Sequence, residues 1–503
     1  MAWRVLLASV MSVVTTQGMG ATGIPLNDFS TDPALASPPW TTAGDQWYIL
    51  PNGYKGGAWW GSDTTNPANK CITLNNWNTA NPSDTNWYWN QALTPKIDVT
   101  PLSYYKISFD YKLDHGKVLI AFDGYNPDPN CWGKWNATQV LYPDWTGAPI
   151  TPTNTWTNYT WYSRARDNST QSNLRFETTV YDKVKQTLNV DNVMVNQVTN
   201  RSEIASWANT NYQNFPKAAT ARANLAQYKW DAILPPTTTR FDSIKRTMAK
   251  LETGQDVTIV FFGDSLACDT GDSYLDVLLE SKYKSHVKII NAVGSGTSMA
   301  SWQNAADNPT GNGMNFKEQV VNQLPDLVIM PGISGSNNLT EVNAVRSMVA
   351  RVRNEVSLYD KANGGSGYTP DVVLMAVESR YPLAAATSAT WKANPVDDYS
   401  TTTGYASTFR NSLYHLSIEQ NTGFLDLEGA CGQYMKDYQA AGGDYTTLFR
   451  DGWLHLNNDG KILSGQAMLS YLTVVPEPAS IAVFAIGAAC LTLRRRSRVS
   501  QRK

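Results

Sequence analysis

Histidine is scarce in this chain. Its 503 residues hold only His115, His286, His415 and His455, so any chemistry that needs an imidazole base has four places to find one. Charge is sparse as well: charged residues make up 17% of the sequence, below the usual quarter, and the formal net charge is −2. With no stripe of Lys and Arg in view, a nucleic-acid partner is not expected. No cluster of metal-ligating residues stands out, so neither a metal nor another cofactor is expected. Long apolar runs are missing too. The two most conspicuous, Val5–Val14 and Ala479–Leu493, fall short of the ~20 residues that a helix needs to cross a bilayer.

Both runs lie where targeting signals lie. Residues 1–23 combine Arg4, an apolar stretch and small residues near Gly18 to Gly23, the layout of a cleaved secretory signal. At the other end Val475-Pro-Glu-Pro478 precedes the second apolar run, and Arg494-Arg-Arg-Ser-Arg498 follows it. This ordered triple closely resembles the PEP-CTERM sorting signal of Gram-negative exopolysaccharide-associated export systems. The resemblance implies export and sorting machinery as partners, and membrane contact through residues 474–503 before processing. It also implies a cytoplasmic basic end and a mature protein that is secreted or held at the cell envelope. A plain C-terminal membrane anchor is the alternative, and it too leaves the globular part outside the cytoplasm.

The length allows two or three domains, and composition shifts along it. Residues 24–198 hold twelve of the eighteen tryptophans. Short alternating runs (Tyr104–Tyr111, Lys117–Phe122, Trp156–Tyr162, Leu174–Val180, Leu188–Val195) are separated by turn clusters, and no long segment has helical periodicity. This pattern predicts an antiparallel β-sandwich. The closing run LNVDNVMV resembles the last strand of jelly-roll carbohydrate-binding modules, which implies a polysaccharide partner. Most of the tryptophans are expected to fill the core, yet twelve exceed what such a core uses. Trp59, Trp60, Trp87 and Trp89 are the candidates for stacking on sugar faces. In a strand Trp87 and Trp89 share a face, as either a core pair or a binding platform.

A helical connector is predicted over residues 199–253, in pieces near 203–212, 216–230 and 241–251 broken by Pro235-Pro236, covering an edge of the sheet that follows. Residues 254–473 then alternate. Strands are predicted at 257–262, 287–291, 327–330, 372–377 and 423–426, with helices near 274–283, 316–323, 340–359, 405–420 and 460–472. That order describes a three-layer α/β domain with a mainly parallel sheet buried on both faces.

Within it, Val257-Thr-Ile-Val-Phe-Phe262 runs into Gly263-Asp-Ser-Leu266, and a short polar loop is expected before Tyr274. A serine at the carboxyl end of a buried strand stands where open α/β sheets hold ligands and nucleophiles. This is not the Gly-x-Ser-x-Gly elbow, and Gly, Asp and Ser are also ordinary turn residues. What moves the balance lies 190 residues downstream in Arg450-Asp-Gly-Trp-Leu-His455-Leu-Asn-Asn-Asp-Gly460. Of the four histidines, only His455 has a carboxylate just upstream and a polar, glycine-containing turn just after it. A serine needs a base to become a nucleophile, and the base needs an orienting acid. His455 and Asp451 supply both from one loop.

At these residues the chain resembles the SGNH (GDSL-type) hydrolase family, over roughly Leu251 to Leu472. The resemblance implies a serine esterase with Ser265 as nucleophile, His455 as base and Asp451 as acid. It places the oxyanion hole at the backbone N–H groups of Ser265 and of Gly296, in the block Asn291–Thr297, with the side chain of Asn337. Two departures stand out. Asp451 and His455 are four apart where the family has three, and Gly335-Ser-Asn-Asn338 sits three residues late, so that Ser334 takes the asparagine's place by position. The alternative reading of Asn337 is a loop residue capping the helix that starts near Thr340. Sandwich and sorting signal together point to acetyl or other small acyl esters on polysaccharide as substrate. A lipid or other acyl-ester hydrolase and a non-catalytic surface glycan-binding protein are the alternatives. Cys71 and Cys131 lie in the sandwich, Cys268 and Cys431 in the hydrolase-like region. They make either one disulfide per domain, consistent with an oxidising compartment, or four buried thiols.

Overall fold

The computed structural model describes residues 24–27, 35–36, 47–50, 58–63, 66–76, 91–116, 118–125, 134–135, 140–141, 152–178, 184–235, 237–294, 297–304, 314–331, 338–377, 408–449 and 455–473. In the N-terminal region two sheets share one core. The first runs Thr153–Arg164, Tyr104–Leu113, Thr187–Val198, Asn66–Asn75, Ala58–Asp63, and Ile24–Asn27 adds to the third of these. The second is built around Val118–Tyr125 and Gln171–Thr178. Pairing is antiparallel throughout, except between the short strands Leu35–Ala36 and Trp47–Leu50, which run parallel. Period-two alternation sends Ile107 and Phe109 of one sheet and Ile120, Phe122, Leu174 and Phe176 of the other into a common core. Phe109 meets Trp161 and Phe176 edge-on, with centroids 5.9 and 5.0 Å apart. Trp161 is 1% exposed, so this tryptophan is core and not platform. All five strands read from the alternating runs are present.

The second region is a five-stranded parallel sheet: β1 (Val257–Gly263), β2 (Val287–Val293), β3 (Leu327–Pro331), β4 (Asp371–Ala376) and β5 (Gly423–Asp426), ordered β2-β1-β3-β4-β5. Both faces are covered. Val257, Ile259 and Phe261 enter one core, Val260 and Phe262 the other. The strand order reverses at β1, and the carboxyl end of that strand opens on the crevice where such sheets receive ligands.

Three local outcomes differ from the sequence reading. The connector does not simply cover an edge: Lys245–Glu252 packs against β1 and β4, while Arg201–Asn214 and Ala219–Ala226 pack on the helices that cover that face, with Ile204, Ala208, Leu225 and Leu251 in the same core as Ile259. The helix Leu339–Ala362 is capped by Asn338, whose side chain accepts from the Glu341 N–H, so the capping use considered for Asn337 belongs to its neighbour. Thirdly, the segment after the Gly-Asp-Ser-Leu turn is not a polar loop. It forms α1 (Ser265–Gly271), because Asp264 caps it and Leu266, Ala267, Cys268 and Thr270 are all buried. Two further helices matter for the site: α2 (Leu275–Tyr283) and α3 (Asn458–Tyr471). Among the described residues, no helix is long and apolar enough to cross a membrane.

Candidate active site

The apolar run of β1 ends at Gly263, whose carbonyl accepts from Gly294 N–H at 2.9 Å and from Trp302 Nε1 at 3.1 Å. Those two donors hold the strand end in place. Asp264 then turns the chain: its backbone is extended and its Oδ1 accepts from Leu266 N–H at 2.9 Å. Ser265 follows as the first residue of α1, half-buried. Burial pushes the Asp264 carboxyl up to about 6, against the pull of the Leu266 and Ala267 N–H groups and of His455.

His455 arrives from a loop that is clamped just behind it. Phe449 and Leu456 form an isolated antiparallel bridge, and Asn457 N–H donates to Leu448 O at 3.0 Å. The Asn457 side chain caps α3 by accepting from Gly460 N–H at 3.1 Å and donates to Thr447 O. A Cβ on Gly460 would stand 2.3 Å from the Leu448 carbonyl oxygen, so only glycine fits there. The Asn and Gly of His-x-Asn-x-x-Gly are therefore loop-building residues that deliver the histidine. His455 Nε2 lies 3.2 Å from Ser265 Oγ.

A residue absent from the sequence reading joins the two loops. Asp269, buried on α1 one turn beyond Ser265, accepts from Leu456 N–H at 3.1 Å. Its signal was the four-residue spacing from Ser265, visible only once the segment is read as a helix. Of the other candidates, Asp451, Gly296, Asn337, Ser334, Trp87, Trp89 and Cys131 lie outside the described residues, as do the side chains of Trp59 and Trp60, which stand in the strand Ala58–Asp63. Of the two options left open for Cys268 and Cys431, the disulfide is not formed. Cys268 is a free thiol packed on Ala267 and Val293, whereas Cys431 belongs to the larger core on helix Leu427–Ala440. Arg166 Nη1 donates to the Cys268 sulfur at 2.6 Å, and burial pushes the thiol pKa up, so no reactive thiolate is prepared there. His286 and His115 pair with Glu280 and Asp114, away from the serine, and His415 lies in the helix Phe409–Glu419. Among the described residues, no group of three His, Cys, Asp or Glu side chains is placed to hold a metal ion.

A half-buried serine hydroxyl beside an imidazole, at the open end of a parallel sheet, can pass its proton to that imidazole when a carbonyl approaches. Residues 474–496 match the PEP-CTERM protein-sorting motif. The tail carries a sorting signal. No curated protein matches the chain. Solved structures similar to parts of it include a two-domain esterase active on acetylated mannans, co-crystallised with mannopentaose, at 13% identity over 46% of this chain and 53% of that one, with a TM-score of 0.31. An acetyl xylan esterase matches at 16% identity over 43% of this chain and 100% of its own, TM-score 0.27. A carbohydrate-binding module (CBM4) matches at 22% identity over 31% of this chain and 88% of its own, TM-score 0.20. The chain thus spans about half the length of the mannan esterase.

Proposed function

We propose that this chain is a secreted or envelope-held serine esterase that removes acetyl or other small acyl groups from polysaccharide. The observation that carries the reading is the 3.2 Å approach of His455 Nε2 to Ser265 Oγ at the carboxyl end of β1. Ser265 attacks the ester carbonyl while His455 takes its proton, and His455 returns that proton to the leaving alkoxide. Water, deprotonated by His455, then cleaves the acyl-serine to release the acid and restore Ser265. Asp451 orients His455. The developing oxyanion is met by the backbone N–H groups of Ser265 and Gly296 and by the side chain of Asn337, each such donor being worth about a hundred- to a thousandfold in rate. The polysaccharide part of the proposal rests on the tryptophan-rich composition of residues 24–198, with Trp59, Trp60, Trp87 and Trp89 as sugar-stacking candidates. The sorting signal at residues 474–496 supports a destination at the surface of a Gram-negative cell.

The test is acetate release from a panel of acetylated polysaccharides, with Ser265→Ala and His455→Ala alongside. Release by the wild type that drops at least about a hundredfold in both variants is expected. Release that survives Ser265→Ala would refute the site. Activity confined to long-chain acyl esters would point to a lipid hydrolase, and no release from any ester to a glycan-binding protein.

A further inference from the structure

The N-terminal sheets meet the serine helix directly. Asp272, the residue that closes α1, accepts from Arg164 Nη2 at 3.0 Å, from Arg166 Nη1 at 2.7 Å and from Asn291 Nδ2 at 2.8 Å. Both arginines come from the end of the strand Thr153–Arg164 and the turn after it. The same turn reaches the sheet itself: Arg164 Nη1 donates to Ile289 O at 3.0 Å, and Asp167 Oδ2 accepts from Asn291 N–H at 2.8 Å, both on β2. Lys461, buried on α3 six residues after His455, adds a third positive charge acting on Asp272. The N-terminal region touches α3 as well. Tyr159 lies beside Asn458 and Asp459 at the start of α3, and Tyr274, next to α2, donates to Tyr162 O at 2.8 Å. One body thus holds both the helix that begins with Ser265 and the helix that follows His455.

We propose that Arg166, acting through Asp272, is a positioning residue for the Ser265–His455 pair, so that the N-terminal domain is part of the catalytic scaffold and not only a targeting module. The proposal rests on the serine-esterase reading above. Its physical basis is the weakness of α1. Seven residues are too few for a helix to stand alone, and its Cys, Asp, Thr and Gly are poor helix formers. Its two ends are held differently, by the Asp264 cap at the start and by the arginine pair at the close. Release of the second end lets Ser265 drift, and a misplacement of about 1 Å costs about a hundredfold in rate. A module that served targeting alone would be joined by a flexible linker and a wet interface. Here Tyr104 and Tyr162 are 2% and 3% exposed and share a core with Ile259 of β1.

The experiment uses the full mature chain and p-nitrophenyl acetate, a substrate too small to need a glycan site. Arg166→Ala is expected to lower kcat by tenfold or more, up to about a hundredfold, with KM little changed. It should slow labelling of Ser265 by a fluorophosphonate by a similar factor. Arg166→Lys, which keeps the charge beside Asp272, should recover most of the loss. All assays run well below the melting temperature of each variant. A folded Arg166→Ala protein with wild-type kcat and wild-type labelling overturns the proposal. So does a loss that Arg166→Lys fails to recover, or one that appears in KM alone. If the wild type neither hydrolyses the ester nor reacts with the fluorophosphonate, the serine-esterase reading falls first and takes the proposal with it.

Discussion

Asp264 and Asp272 stand at the two ends of α1, and both are withdrawn from water: Asp264 is 3% exposed and the Asp272 side chain 10%. Their electrostatics run in opposite directions. Burial pushes the Asp264 carboxyl up to about 6; the Leu266 and Ala267 N–H groups and His455 counter only part of that, and the nearby charge of Asp269 adds to it. Burial acts on Asp272 in the same sense, yet the charges of Arg166, Lys461 and Arg164 overcome it and hold the carboxyl well below the ordinary carboxylate range. Burial by itself therefore does not say whether a carboxylate is charged; its partners do. The end beside Ser265 is a cap that can be neutralised cheaply. The far end is an ionic tie to another domain.

The widest split between the two ends should come from truncation. Asp272→Ala leaves Arg164, Arg166 and Lys461 together without their carboxylate, and a loss of about 3–5 kcal/mol is expected in urea unfolding. Asp264→Ala removes only a helix cap, at about 1 kcal/mol. Equal losses from the two variants would mean that the two ends of α1 are held alike. On the histidine side, where a backbone bridge and hydrogen bonds hold the loop, Gly460→Ala forces a methyl against the Leu448 carbonyl. About 1–3 kcal/mol should be lost, together with ester turnover, and an unchanged denaturation midpoint would mean that the loop gives way freely.

The pH dependence is the most selective test. Because the Asp264 pKa is raised from 3.8 to about 6 on folding, the folded chain binds more protons than the unfolded one between those values. Its contribution is complete below 3.8 and is lost as the pH rises through about 6. Asp272 works in reverse: its contribution is present above 3.8 and is lost as the pH falls toward its depressed folded value. Asp264→Asn keeps an acceptor for the Leu266 N–H but cannot ionise. The melting temperature of the wild type, relative to this variant, should fall between about pH 4 and pH 7. A constant difference across that range would return Asp264 to its ordinary pKa.

Much of this was legible along the chain. The strands of both regions follow from alternation and from short β-branched apolar runs, because those periods have only one way to bury their apolar face. Ser265 and His455 were legible because a turn motif and a scarce residue type narrowed the choice. Helix α1 was not, since Ala-Cys-Asp-Thr-Gly has little intrinsic helicity and is held by the Asp264 cap and by burial under β1 and β2. Cys268 and Cys431 looked pairable because they share a domain, but membership of a domain says nothing about distance, and they lie in separate clusters. Asp269 was passed over for the same reason as α1.

Local pattern, then, determined the elements and the sorting tail, and it singled out Ser265 and His455 as the proposed nucleophile and base. Tertiary structure alone decided that His455 Nε2 comes within 3.2 Å of Ser265 Oγ across 190 residues. It also decided that Arg164 and Arg166, more than 100 residues upstream of Asp272, reach it from another domain. Charge pairing acts through space and leaves no period in the chain, so no spacing rule could have announced it.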